Sequence, residues 1–222
     1  SLTLDANTTA NNNTAVGHAA LGANTTGAEN TVVGALAGDA LTTGFSNTAL
    51  GMKALSTDTT GRYSVAIGHS ALENQAFTGN NNSYNTAVGY SAGNDVTTGV
   101  ENTLIGGLAG DSITTGSYNT VLGKTAGESV TTGEYNVLIG YDVASHETNL
   151  VTGVRNVIIG ALSDPLATDA NNVIAIGYNV GGAAGFTTLG NSNSDIRAAH
   201  GVATWATVSD ERYKKDIVDS TA

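Results

Sequence analysis

Polar and apolar positions along the chain recur in one short phrase, Asn-Thr-x-(Val/Leu/Ile)-Gly. It reads NTAVG at 13–17, NTVVG at 30–34, NTALG at 47–51, NTAVG at 85–89, NTLIG at 102–106 and NTVLG at 119–123. Degenerate copies SVAIG, NVLIG, NVIIG and VIAIG follow the same pattern at 64–68, 136–140, 156–160 and 173–177. From Gly17 to Gly177 the closing glycines are spaced by 17, 17, 17, 21, 17, 17, 17, 20 and 17 residues. A second phrase, TTG, precedes the next motif glycine by seven residues in most units, as at Gly27, Gly44 and Gly116. Four β-favouring residues closed by a glycine predict a short strand ending where φ is positive or backbones approach closely. Glycines interrupt most of the 17-residue units before a helix of ~10 residues could form, so the repeat predicts a parallel β-solenoid of about ten coils, roughly 50 Å long at ~4.8 Å per coil. The longer spacings predict loop insertions, TGNNNSY (78–84) and SHETNLV (145–151), on a continuing stack.

Alternation then assigns faces. Thr14 with Val16, Thr31 with Val33 and Thr103 with Ile105 share one face, and the large apolar residue before the glycine marks it as the expected interior. Small residues for the narrow inside of a coil follow at Ala20, Ala37, Ala54, Ala71, Ala92, Ala109 and Ala126. The residue between the two interior positions is expected to face outward, yet it is Ala15, Val32, Ala49, Ala66, Ala87, Leu104, Val121, Leu138 and Ile158, never polar. Strands apolar on both faces are covered on both. This row is therefore the expected interface with identical chains, and a cyclic homotrimer suits a parallel rod.

Composition agrees with an elongated object. Only 5% of residues are aromatic, 29 are glycine, one is proline and none is cysteine, so disulfides and thiolate metal sites are excluded. A net charge of -11 argues against nucleic acid and anionic membranes, which require a basic footprint. No apolar run reaches the ~20 residues of a membrane span, and residues 1–10 lack the features of a signal peptide. An exported or internal fragment fits both observations.

The coils resemble the head repeats of trimeric autotransporter adhesins, with their SVAIG-like motif, and similar repeats in phage tail fibres, over about 13–190. The resemblance implies a β-roll or β-helix packed as a trimer. A second resemblance covers LGNSNSDIRAAHGVATWATVSDERYKKDI (189–217), where three of the chain's eight basic residues (Arg212, Lys214, Lys215) crowd together. It is similar to the junction into the C-terminal intramolecular chaperone of phage tailspikes and tail fibres. The resemblance implies Ser209 as the nucleophile of a single self-cleavage, the bond to Asp210 as the scissile bond and Lys214 as the base. A lysine desolvated enough to lose its proton can activate a hydroxyl. Thirteen residues follow Ser209, the start of such a chaperone and not its body. As plain chain, Ser209 with Asp210 and Glu211 reads as a helix N-cap and first turn.

Other chemistry is thin. His18, His69, His146 and His200 are scattered, and Asp39, Asp95, Asp111 and Glu128 lie at one corner of their coils, where solvated carboxylates need no calcium. No metal or cofactor is expected. Adjacent threonines ending in a turn glycine do not make the Thr-x-Thr face of ice-binding solenoids. No facing carboxylate pair for glycoside cleavage is evident. Tyr63, Tyr84, Tyr118 and Tyr135 each precede a motif Asn or its Ser substitute; with Trp205 in the looser C-terminal part, they are the candidate receptor surface.

The expected organisation is a lead-in (1–12), a solenoid (13–190), a tip or junction (191–208) and the start of a chaperone (209–222). The expected role is a non-enzymatic extracellular fibre or adhesin, on a virion tail or a bacterial surface, that attaches to a glycan or protein receptor. A purely structural shaft and a polysaccharide-degrading tailspike are the alternatives.

Overall fold

The computed structural model describes residues 2–79, 81–192, 194–202 and 206–207. Among them there is no helix, and the chain winds as a parallel β-solenoid. One three-residue strand per coil forms the ladder: β1 (Thr14–Val16), β2 (Thr31–Val33), β3 (Thr48–Leu50), β4 (Val65–Ile67), β5 (Thr86–Val88), β6 (Thr103–Ile105), β7 (Thr120–Leu122), β8 (Val137–Ile139) and β9 (Val157–Ile159). The ladder continues through β11 (Ile174–Tyr178) to β13 (Phe186–Asn191), while β10 (Asp164–Pro165) pairs with β12 (Gly181–Gly182) in a separate parallel pair. Beyond β13 the pairing turns antiparallel, to β14 (Ile196–Ala199) and then β15 (Ala206–Thr207).

Equivalent motif positions face each other in every parallel pair. The register holds across both insertions, with Ala66 opposite Ala87 and Leu138 opposite Ile158. The motif glycines are required twice over. Gly34 has φ +145°, a region L side chains rarely adopt, and a Cβ there would overlap the carbonyl oxygen of Gly51 in the next coil. Other corners use left-handed residues that are not glycine, including Leu36 (φ 56°), Lys53 (φ 59°) and Tyr118 (φ 62°).

The structure reverses the expected faces of the strand. Val32, Ala49, Ala66, Ala87, Leu104, Val121, Leu138 and Ile158 are buried inside their own coil, and Ala15 packs on the same core. They are interior residues and not an interface between chains. The flanking residues expected inside, such as Thr14 and Val16, point outward. The motif Asn explains the parity: it lies two positions before the middle residue, on the same face, and is itself buried.

Those asparagines form a ladder through the stack. Asn102 donates from its amide to Oδ1 of Asn85 (3.3 Å) and to the carbonyl of Gly116 (2.9 Å). Its own Oδ1 accepts from the backbone N–H (3.0 Å) and the amide (3.1 Å) of Asn119. The same pattern repeats from Asn13 to Asn156 except at Ser64, and ends where the backbone N–H of Val173 donates to Asn156 Oδ1.

Interior volume is shared out within each coil. Where the left-handed position after the alanine corner holds a buried leucine (Leu21, Leu55, Leu72), the strand contributes alanine and the TTG side a polar residue: Asn24, Asp58 or Gln75. Where it is glycine (Gly38, Gly110, Gly127), larger groups fill the space: Val32 with Leu41, Leu104 with Ile113, and Val121 with Val130. Close packing at nearly constant volume accounts for the exchange.

Candidate functional surfaces

The outward face of the strands is the most distinctive surface. Its column before the motif glycine is entirely aliphatic, from Val16 through Leu50, Ile105 and Leu122 to Ile176. Val16 is 59%, Leu50 45% and Leu122 43% exposed. Beside it runs a column of threonine in β1–β3 and β5–β7, and of aliphatic residues in β4, β8, β9 and β11. The position after the glycine adds exposed Met52, Tyr90, Tyr141 and Tyr178. There His69 stacks on Tyr90 at 5.5 Å between ring centroids, and Lys124 Nζ lies 5.8 Å from the centre of the Tyr141 ring. A contiguous aliphatic row of this length facing water is unusual for a soluble chain.

The four tyrosines predicted to share a coil position do so, and are exposed. They stack in two parallel pairs, Tyr63 on Tyr84 at 5.2 Å and Tyr118 on Tyr135 at 4.7 Å, with Glu101 between the pairs in the column. Phe45 meets Tyr63 edge-on at 5.4 Å, under the Arg62 guanidinium, which lies 4.4 Å from the Phe45 ring centre. Stacking covers one face of each ring in a pair, and the Asn82 amide donates to the Tyr84 hydroxyl at 3.2 Å. The first threonine of each TTG gives its hydroxyl proton to the next coil, as from Thr25 to the carbonyl of Thr42 at 3.1 Å, and at the first insertion the second does so as well, from Thr60 to the carbonyl of Gly79 at 2.6 Å.

The acidic corner is electrostatically loaded. Burial, followed by the charges of Asp95 and Glu128, raises the Asp111 carboxyl to about 6. Burial also raises Asp39, opposed by its own backbone hydrogen bond and by the charge of Lys53, whose Nζ lies 2.9 Å from Glu73 Oε1. Among the described residues no group of three or more His, Cys, Asp or Glu side chains is placed to hold a metal ion. His146 lies 3.5 Å from Asp142, and His200 is 3.3 Å from Thr187, in separate coils.

One polar feature lies inside the stack, unannounced by the repeat. At the break in the asparagine ladder, buried Asp58 accepts from the Gln75 amide (2.6 Å) and the backbone N–H of Gly61 (3.0 Å). Gln75 also donates to Ser64 and accepts from Asn85, which reconnects the ladder around the serine. Burial raises the Asp58 carboxyl against these hydrogen bonds. The signal was present in the sequence: Ser64 replaces Asn in the motif that opens the 21-residue spacing.

Two shallow grooves accompany the insertions. One of about 270 Å³ is lined by Phe77, Asn81, Asn82 and Val100, and one of about 180 Å³ by Glu147, Asp164, Leu166 and Asn179. Both oxygens of Asp164 accept backbone N–H groups, from His146 and Glu147, which fixes the second insertion. Trp205 and the residues of the expected self-cleavage, Ser209, Asp210 and Lys214, lie outside the described residues. Compared with known proteins, the chain matches no family model, no curated protein and no solved structure.

Proposed function

We propose that this chain is the solenoid of a homotrimeric extracellular fibre or adhesin, on a phage tail or a bacterial surface, which attaches to a cell-surface glycan or protein. The observation that carries the reading is the aliphatic column on the outward face of the strands. A flat parallel sheet about 45 Å long at ~4.8 Å per strand, apolar along its length, gains by burial against copies of itself, and cyclic symmetry lets every copy use the same face. The interface is thus moved from the middle strand residues to their outward neighbours. Association comes first in the test: sedimentation of the full chain should give the mass of three copies, and a monomer at all concentrations would end the reading. Attachment is tested separately, by binding of the trimer to glycan arrays and to whole cells.

A structural shaft with recognition elsewhere is the second reading, favoured by the tyrosines, whose pairwise stacking braces successive coils and leaves few open ring faces. Replacing Tyr84 and Tyr135 with Ala distinguishes the two: lost cell binding at unchanged melting temperature supports a receptor role. In this proposal the residues beyond 208 belong to a self-releasing chaperone. Extended through a tailspike-type chaperone, the chain should release a piece beginning at Asp210, and Ser209→Ala should block release.

A further inference from the structure

We infer that the association face is graded along the rod, and that copies of this chain join parallel to one another and most firmly through the coils of β8, β9 and β11. The inference rests on the proposal that the outward strand face is buried between copies. Each strand presents two outward residues. In β1, β2 and β3 these are a threonine and one aliphatic residue (Thr14 with Val16, for instance), all exposed or partly exposed within the single chain. In β8, β9 and β11 both are aliphatic: Val137 with Ile139, Val157 with Ile159, and Ile174 with Ile176.

A threonine hydroxyl enclosed between sheets needs a partner that an aliphatic neighbour does not supply, whereas valine in the same shape does not. Val65 of β4 is the one aliphatic residue at that position among the first seven strands. Exposed Tyr141 and Tyr178 widen the apolar strip beside β8 and β11, as Met52 and Tyr90 do beside β3 and β5, where the second outward residue is threonine; the equivalent residues of the first two coils are His18 and Ala35. The estimated area points the same way. Ten strands at ~4.8 Å spacing and a strip ~10 Å wide give about 450 Å² per chain, short of the ~800 Å² per partner of a standard interface. With so little area to bury, the coils whose two outward residues are both aliphatic are where association should be strongest. Only parallel copies set doubly aliphatic coils against one another; antiparallel copies would oppose β11 to the threonines of β1.

The test exchanges the two ends without touching the coil interior. Subunit exchange between differently tagged full chains is measured for the parent, for the triple variant Val137→Thr, Val157→Thr, Ile174→Thr, and for the reciprocal Thr14→Val, Thr31→Val, Thr48→Val. Circular dichroism monitors folding. The first variant should exchange at least tenfold faster than the parent, and the reciprocal one more slowly. A first variant within threefold of the parent overturns the gradient while association itself stands. Should that variant lose its β signal, the reciprocal variant decides, and unchanged exchange there overturns the gradient. A parent that is monomeric throughout overturns both this inference and the functional reading beneath it.

Discussion

Replacing Asn102 with Leu tests whether the asparagine ladder holds the coils together. Leucine keeps the branched outline of four side-chain heavy atoms and is welcome in the core, so transfer of the side chain alone would favour the variant. The amide it removes makes two donations and accepts two hydrogen bonds, with Asn85, Gly116 and Asn119 as partners. The substitution leaves the carbonyl of Gly116 and the backbone N–H of Asn119 without partners in a buried position, and strips one bond from each neighbouring amide. At about 1–3 kcal/mol for each stranded group, the two backbone groups alone cost about 2–6 kcal/mol, which outweighs the ~1–2 kcal/mol gained from apolar burial. The assay is urea unfolding of the variant, with hydrogen exchange at the Asn119 amide as the local readout. We expect a clear drop in midpoint and loss of protection at Asn119. A change below about 1 kcal/mol with Asn119 still protected would refute the reasoning, because the backbone groups would then have found other partners.

Asn24 is the opposite case, since both atoms of its buried amide lack partners and Leu41 fills the equivalent place one coil on. Because Leu21 occupies in this coil the room that Gly38 leaves for Leu41, the double variant Leu21→Gly, Asn24→Leu, which reproduces the next coil's arrangement and removes the buried amide, should raise stability by about 1–2 kcal/mol in the same urea assay. Gly106→Ala, at φ +136° and against the backbone of Gly123, should cost at least ~3 kcal/mol, read as a fall in melting temperature. The Asp111 carboxyl, raised from 3.8 to about 6 by burial and by Asp95 and Glu128, binds its proton more tightly folded than unfolded. Its stabilising contribution is full below pH ~4 and lost as pH rises through about 6, so acidification across that window should raise the melting temperature. Since the side chain is half-exposed, solvent screening reduces the effect to about 1 kcal/mol. Asp111→Asn should flatten the pH profile.

The coil length, the single strand per coil, both glycine requirements and the tolerated insertions were legible in the sequence, because each repeats with fixed spacing. The orientation of the strand was not legible from side-chain size, because the largest apolar residue, the one before the glycine, faces outward. The better signal was tolerance: the middle residue is never polar in any coil, whereas its neighbour before it is threonine in six of the first seven strands. The buried Asn on the same parity as the middle residue is not legible locally, since asparagine at a strand edge usually serves a turn. Its role depends on having an identical amide one coil away, a relation that local propensity does not contain. The tyrosine column was legible, but its pairing into stacks was not, because ring orientation follows from left-handed corners such as Tyr63 (φ 61°) that no residue type in the motif announces.

The reversed polarity of the coil, with amides inside and aliphatic residues outside, follows from the repeat itself. An amide inside the stack is satisfied only by the coils above and below it, so the same residue at the same position in each coil converts a desolvation cost into a ladder that also fixes register. Valine at 173 can end the ladder because only its backbone N–H is asked of it, donated to Asn156. No equivalent arrangement serves the outward column. An aliphatic side chain stacked on its counterpart one coil away still shows its outer half to water, whatever the number of coils, and each added coil adds the same exposed area. Lengthening the rod therefore relieves the interior and aggravates the exterior. Only a lateral neighbour removes that area from water, and in the proposed assembly the threonines beside the column would limit how strongly such a neighbour is held at the N-terminal coils.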